Sequence, residues 1–154
     1  ELFSRAREGL KLSEDAHLTP LPIDKPAASL SAILLDESYY DFLKSMVREV
    51  GGIPVLGEAA IIPFKARAWL DLTRQRDEGG NVDEKNIRKH RNDVARLLQL
   101  LSQEARYELP SSVADDMRSF VEQATAEADY DPRQFKVNMT RDDVATRLRA
   151  AYQL

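Results

Sequence analysis

Apolar positions recur along this chain at helical spacing for most of its length, with short alternating stretches between them. The clearest pair of periodic segments lies in residues 57–101, GEAAIIPFKARAWLDLTRQRDEGGNVDEKNIRKHRNDVARLLQLL. At about 100° per residue, Ile61, Phe64, Ala68, Trp69 and Leu72 share one broad face of a helix expected over 58–76, and Lys65 falls among them. Pro63 cannot donate an amide hydrogen, so it belongs in the first turn or bends the helix there. Gly79-Gly80 turns the chain, and Asn81 or Asp83 can cap a second helix. That helix carries its stripe on Ile87, Val94, Leu97, Leu98 and Leu101, with His90 on the stripe, Arg91 at its edge, and Arg88, Lys89 and Arg96 facing away. The rest of the chain is expected to pack around these two helices.

Ahead of this hairpin of helices, Leu2, Phe3, Ala6 and Leu10 suggest a short helix over 1–10, ended at Gly9. A chain that opens at Glu1 already in helical register reads as the tail of a helix cut into; a processed terminus is the alternative. Pro20, Pro22 and Pro26 exclude a long regular element from 13–28, leaving a short extended piece near 18–23 at an edge. SLSAILL, 29–35, alternates as a strand with Leu30, Ala32 and Leu34 on one side. Asp36 caps a helix whose inward face is Tyr39, Phe42, Leu43, Met46 and Val50, terminated by Gly51-Gly52. Residues 53–56 are extended. After 101, Pro110-Ser111 opens a helix burying Val113, Met117, Phe120, Val121 and Ala124. Thr140 to Asp143, TRDD, resembles a capping box ahead of a last helix with Val144, Leu148, Ala151 and Tyr152 inward. The fold class is therefore α+β, dominated by helices: a small sheet (near 18–35 and 53–56) against a C-terminal helical bundle over 57–154.

With 154 residues and 43% hydrophobic positions, the chain is long enough to bury a core. It has no cysteine, which excludes disulfides and thiolate metal sites. A formal net charge of -4 argues against general nucleic-acid binding and confines any phosphate contact to a local patch. No apolar run is long enough for a membrane span and no signal peptide is visible, so a cytoplasmic location is the default.

Four features carry candidate chemistry. Lys65 on an apolar stripe reads either as a cation held at a cleft wall for a phosphate or carboxylate, or as a snorkelling or internally paired lysine. The cluster Lys85, Arg88, Lys89, Arg91 and Arg96 could hold phosphates, or contact RNA with strong salt dependence. Its pairing with Asp83, Glu84 and Asp93, Lys89 with Asp93 among them, also explains it as a solvated face. His90 reads more simply as a core or boundary histidine than as a base, and His17 is too remote in sequence to support a two-histidine metal site. Asp129-Tyr130-Asp131 has a spacing that can hold a divalent cation, but before Pro132 it also reads as a capped turn.

Residues 29–101 resemble the AbiEii-like nucleotidyltransferases, a branch of the DNA polymerase beta-like nucleotidyltransferase superfamily. The resemblance rests on SLSAILLDESYY, on the K-x-x-A pattern of Ile61-Ile62-Pro63-Phe64-Lys65-Ala66-Arg67-Ala68, and on Lys89-His90-Arg91-Asn92-Asp93. It implies a partial nucleotidyltransferase-like α/β segment over 1–56 and a helical bundle over 57–154, of toxin-antitoxin type. Lys65, Lys89 and Arg91 would bind nucleotide phosphate and Asp93 would orient a basic neighbour. A nucleoside triphosphate, Mg and an antitoxin protein are the implied cofactors and partners. The family's Gly-Ser pair and paired catalytic aspartates are not in this chain, so the resemblance assigns it no catalytic residue and no metal ligand. A non-catalytic helical protein-interaction domain is the alternative reading.

Overall fold

The computed structural model describes residues 2–5, 32–35 and 37–154. Two compact units divide at residues 45 and 46, so that 46–56 groups with the helices rather than with the segment before it, where the sequence placed it. Among the described residues there are five α-helices and two small two-stranded sheets, a predominantly helical α+β fold.

In the first unit, β1 (Leu2–Arg5) pairs in parallel with β2 (Ala32–Leu35), Leu2 opposite Ala32 and Arg5 opposite Leu35. The helix expected over 1–10 is thus a strand where it is described. Leu2 and Phe3 suit a ladder as well as a helix, and a segment this short cannot be assigned by period alone. The expected strand at 29–35 is present over its last four residues. The proposed extended piece at 18–23, Gly9 and the Asp36 cap lie outside the described residues. Helix α1 (Glu37–Met46) buries Tyr39 and Phe42 as its spacing requires.

The expectation that α1 runs to Val50 is wrong. It stops at Met46, and β3 (Val47–Val50) pairs antiparallel with β4 (Ile53–Leu56), Val50 opposite Ile53. Gly51 and Gly52 do not end a helix. Both have positive φ, 60° and 80°, which is the backbone of a two-residue type I′ hairpin turn. Val47, Val50, Ile53 and Val55 are β-branched and favour the pleated form. Val50 falls at helical spacing from Met46, which is why the pattern is misleading there. Its side chain, expected inside, is 62% exposed.

The second unit is built around α2 (Glu58–Asp77), which packs against α3 (Glu84–Leu98) on one side and α4 (Ser111–Ala126) on the other. Its buried line is Ala59, Ile62, Ala66, Trp69 and Thr73, one residue out of phase with the expected face. Ile61, Phe64, Ala68 and Leu72 are only half-buried. A helix with neighbours on two sides buries an arc wider than a single stripe, so its own pattern does not determine the phase. Trp69 meets Phe120 of α4 edge-to-face, with ring centroids 5.3 Å apart.

Pro63 lies well inside α2 and leaves the carbonyl of Ala59, four residues back, without its helical donor. The last helix, α5 (Arg141–Tyr152), supplies the replacement: the buried Tyr152 hydroxyl donates to the Ala59 oxygen at 2.8 Å. One bond thus satisfies the break in α2 and ties the end of the bundle to its beginning. Burial holds the Tyr152 phenol in its neutral form, far above its ordinary range, so it remains a donor.

Helix α2 ends as the turn residues require. Gly79 has φ 85°, its amide bonds Arg76 and that of Gly80 bonds Gln75, which together form a Schellman cap. Asp83 caps α3 by accepting from the Lys85 amide. Thr140 and Asp143 form the expected capping box, and the Thr140 groups hold the Asp143 carboxyl below its usual range. All five residues expected inside on α4 and all four on α5 are buried.

Candidate functional site

On α3 the buried line is Ile87, Arg91, Val94, Ala95 and Leu98. The spacing 87, 91, 94, 98 places Arg91 in the middle of the stripe rather than at its edge, and Arg91 is only 3% exposed. His90 is half-buried beside it, while Arg88, Lys89 and Arg96 face out as expected.

A guanidinium can occupy a core stripe only if its charge and donors are met. The loop after α4 meets the charge and the two terminal nitrogens, while the buried Nε has no hydrogen-bond partner among the described residues. Arg91 bonds Glu127 and reaches Asp129 at 3.0 Å, and its guanidinium lies 4.6 Å from the centre of the Tyr130 ring. These bonds hold the Asp129 carboxyl below its ordinary range. Burial pushes the Tyr130 phenol up to about 12. Asp131 turns the other way: it caps the short 3-10 turn Pro132–Phe135 and bonds Arg133, which lowers its pKa. The two aspartates of the D-x-D therefore point to separate guanidinium groups. Among the described residues no group of three His, Cys, Asp or Glu side chains could hold a metal ion.

Lys65 projects from α2 toward α3, where its ammonium lies 3.6 Å from Asp93. The side chains are 16% and 22% exposed, so the pair is largely withdrawn from solvent. Asp93 also bonds Arg96, one turn on, at 3.3 Å. Of the expected phosphate-binding residues, then, Lys65 is paired across the α2–α3 seam, Arg91 is enclosed by the 127–131 loop, and Lys89 is exposed on the outer face of α3. Asp93 contacts Lys65 and Arg96, two basic neighbours.

A second polar region lies between α2 and α4, where nothing in the sequence pattern suggests a site. Arg67 spans the seam there, bonding Asp71 at 3.1 Å and Asp116 at 2.6 Å. Burial opposes its charge, but Asp116 and Asp71 more than offset this and raise its pKa further. Beyond it opens a groove of about 550 Å³ along the last three turns of α2. The one sequence signal for it is the Arg67–Asp71 pair at i,i+4. Comparison with protein-family models, curated proteins and solved structures finds no match to this chain.

Proposed function

We propose that the 46–154 unit is a non-catalytic helical interaction module that works by docking a partner protein. The observation that supports this is the internal use of the two cations, one half-buried and one buried, on its central helices. Lys65 is paired with Asp93, and Arg91 with Glu127 and Asp129. A phosphate arriving at either would have to displace a carboxylate already in place, without the many open donors that triphosphate sites use.

A second reading is favoured by the outer face of α3, where Lys85, Arg88 and Lys89 are exposed together. In it the chain is the C-terminal portion of a nucleotidyltransferase-like protein of toxin-antitoxin type, acting in the cytoplasm. Lys89 would contact the phosphates of a nucleotide, while carboxylates outside this chain perform the chemistry. Titration with a labelled nucleoside triphosphate in Mg2+ separates the two. The interaction module shows no saturable binding, and Lys65→Ala or Lys89→Ala changes nothing. Saturable binding weakened by either substitution overturns it in favour of the transferase reading.

A further inference from the structure

A cavity of about 440 Å³ lies against the side of α5 turned away from the core. Asp143, Thr146, Arg147 and Ala150 recur at i, i+3, i+4 and i+7 and so share one face of that helix. Gln103, from the loop after α3, and Met139, just ahead of α5, complete the walls.

Arg147 is the group here that the fold leaves without a counter-charge. Among the described residues, the buried or half-buried arginines are Arg67, Arg76, Arg91 and Arg147. Arg67 pairs with Asp71 and Asp116, Arg76 with Asp77 and Glu84, and Arg91 with Glu127 and Asp129. Arg147 meets no carboxylate among them. Its Nη2 donates to the Leu101 carbonyl, and its Nη1 reaches only the Met139 sulfur, at 3.9 Å, which is a weak acceptor. Asp143 stands one turn earlier, where an i,i+4 ion pair would ordinarily form. Its carboxylate instead accepts from the amide and the hydroxyl of Thr140 in the capping box.

A cation partly withdrawn from water and given only neutral acceptors is short of one negative charge. Its two contacts also fix where the guanidinium lies. Met139 is a wall of the cavity, and Leu101 is two residues before Gln103, another wall, so the charged end of Arg147 is at the cavity. Thr146 and Gln103 are exposed and can donate to the same anion, while Met139 and Ala150 offer apolar surface. Asp143 adds negative charge at the rim, which opposes a doubly charged phosphate and favours a singly charged ligand.

We propose that this cavity binds a monocarboxylate with a small apolar body, its carboxylate on Arg147 and its apolar part against Met139 and Ala150. The volume is within the roughly 300–1,000 Å³ of small-ligand pockets. The site is separate from the α3 seam and stands apart from the interaction-module reading. A free acid and the C-terminus of a peptide present the same chemistry.

The test is an amide chemical-shift titration of the full chain with N-acetyl-leucine and with isocaproate. Both carry a carboxylate on a branched apolar body, and only the first carries a peptide group. Saturation in the millimolar range, usual for about a dozen heavy atoms, is expected, with shifts at Gln103, Thr146 and Arg147. Tighter binding of N-acetyl-leucine identifies a peptide C-terminus as the source, and equal or weaker binding a free acid. N-acetyl-leucinamide, which lacks the charge, does not bind. Arg147→Met weakens binding by about tenfold, the scale of one lost charge-assisted hydrogen bond. Ala150→Leu fills the cavity without altering the arginine and also weakens binding, while Arg149→Met, on the exposed side of α5, leaves it unaltered. Absence of saturation overturns the proposal, as does binding of the amide. Equal loss in Arg149→Met overturns it too, because the attraction would then be general, and so does displacement by inorganic phosphate at the ligand's own concentration.

Discussion

The two polar seams of the bundle differ in where the partners of their cations come from. Along the α3 side, Arg91 is surrounded by Glu127, Asp129 and the face of Tyr130, and Lys65 is set against Asp93. Along the α2–α4 side, Arg67 is paired instead with Asp71 and Asp116 of the two helices themselves, and each side keeps buried atoms without a partner among the described residues, Thr73 Oγ1 here and Arg91 Nε and Tyr130 Oη there. A charge in a seam is thus no sign of a binding site when its partners are already supplied by the fold.

The largest effect expected from this contrast is at Arg91. Arg91→Ala removes the cation that Glu127, Asp129 and Tyr130 surround and is expected to cost about 3 kcal/mol, read by chemical denaturation. A cost below the ordinary surface range would mean the α3 seam is not closed as described.

Next in size is the bond from Tyr152 to the Ala59 carbonyl. Tyr152→Phe leaves that buried oxygen without a donor and should cost about 2 kcal/mol. Pro63→Ala restores an amide hydrogen at the position that would serve Ala59, so the same substitution made in a Pro63→Ala background should cost much less. Equal costs in the two backgrounds would remove the link between proline and tyrosine.

Thr73→Val should act in the opposite sense, raising stability by about 1 kcal/mol because it deletes a buried hydroxyl without a partner. That gain would mark the Thr73 hydroxyl as a buried group that costs the fold stability. A loss of stability would show that the hydroxyl already has a partner.

The smallest expected effect is in the acid limb. Asp129 has a depressed folded pKa, so its contribution is fully present above the unfolded value, ~3.8, and is lost as pH falls through the lower folded value. In Arg91→Met, denaturation between pH 5 and about 2 should lose the part of this slope that belongs to Asp129. Asp143, held by Thr140, should keep its own part. An unchanged slope would place Asp129 outside the Arg91 cluster.

How far these features are legible in the sequence depends on whether an element's buried residues keep to one narrow stripe. Helices α4 and α5 bury one face each, and every residue expected inside on them is inside. The capping box at Thr140 is a local motif and is readable for that reason. Helix α2 buries a wider arc that takes in Ala60 and Pro63, its stripe is displaced by one residue, and Lys65 moves from the centre of a face to a seam. The hairpin is hidden because Val50 continues the helical spacing of α1 while Gly51-Gly52 serves either as a terminator or as a turn. Arg91 shows why the site itself is hard to read. The spacing of Ile87, Val94 and Leu98 places it on the stripe, but the carboxylates that let it stay there come from a loop more than thirty residues later. The α2–α4 groove depends on the same kind of long-range pairing, between Arg67 and Asp116.

The central claim is that the cation on the supposed nucleotide face is part of the fold. A double-mutant cycle between Lys65 and Asp93, using Lys65→Met and Asp93→Asn, addresses it most directly through the stability of four proteins. The account predicts a favourable coupling of about 0.5–1 kcal/mol, with nucleotide binding absent from all four. Zero coupling, together with nucleotide binding that disappears in Lys65→Met, would contradict it.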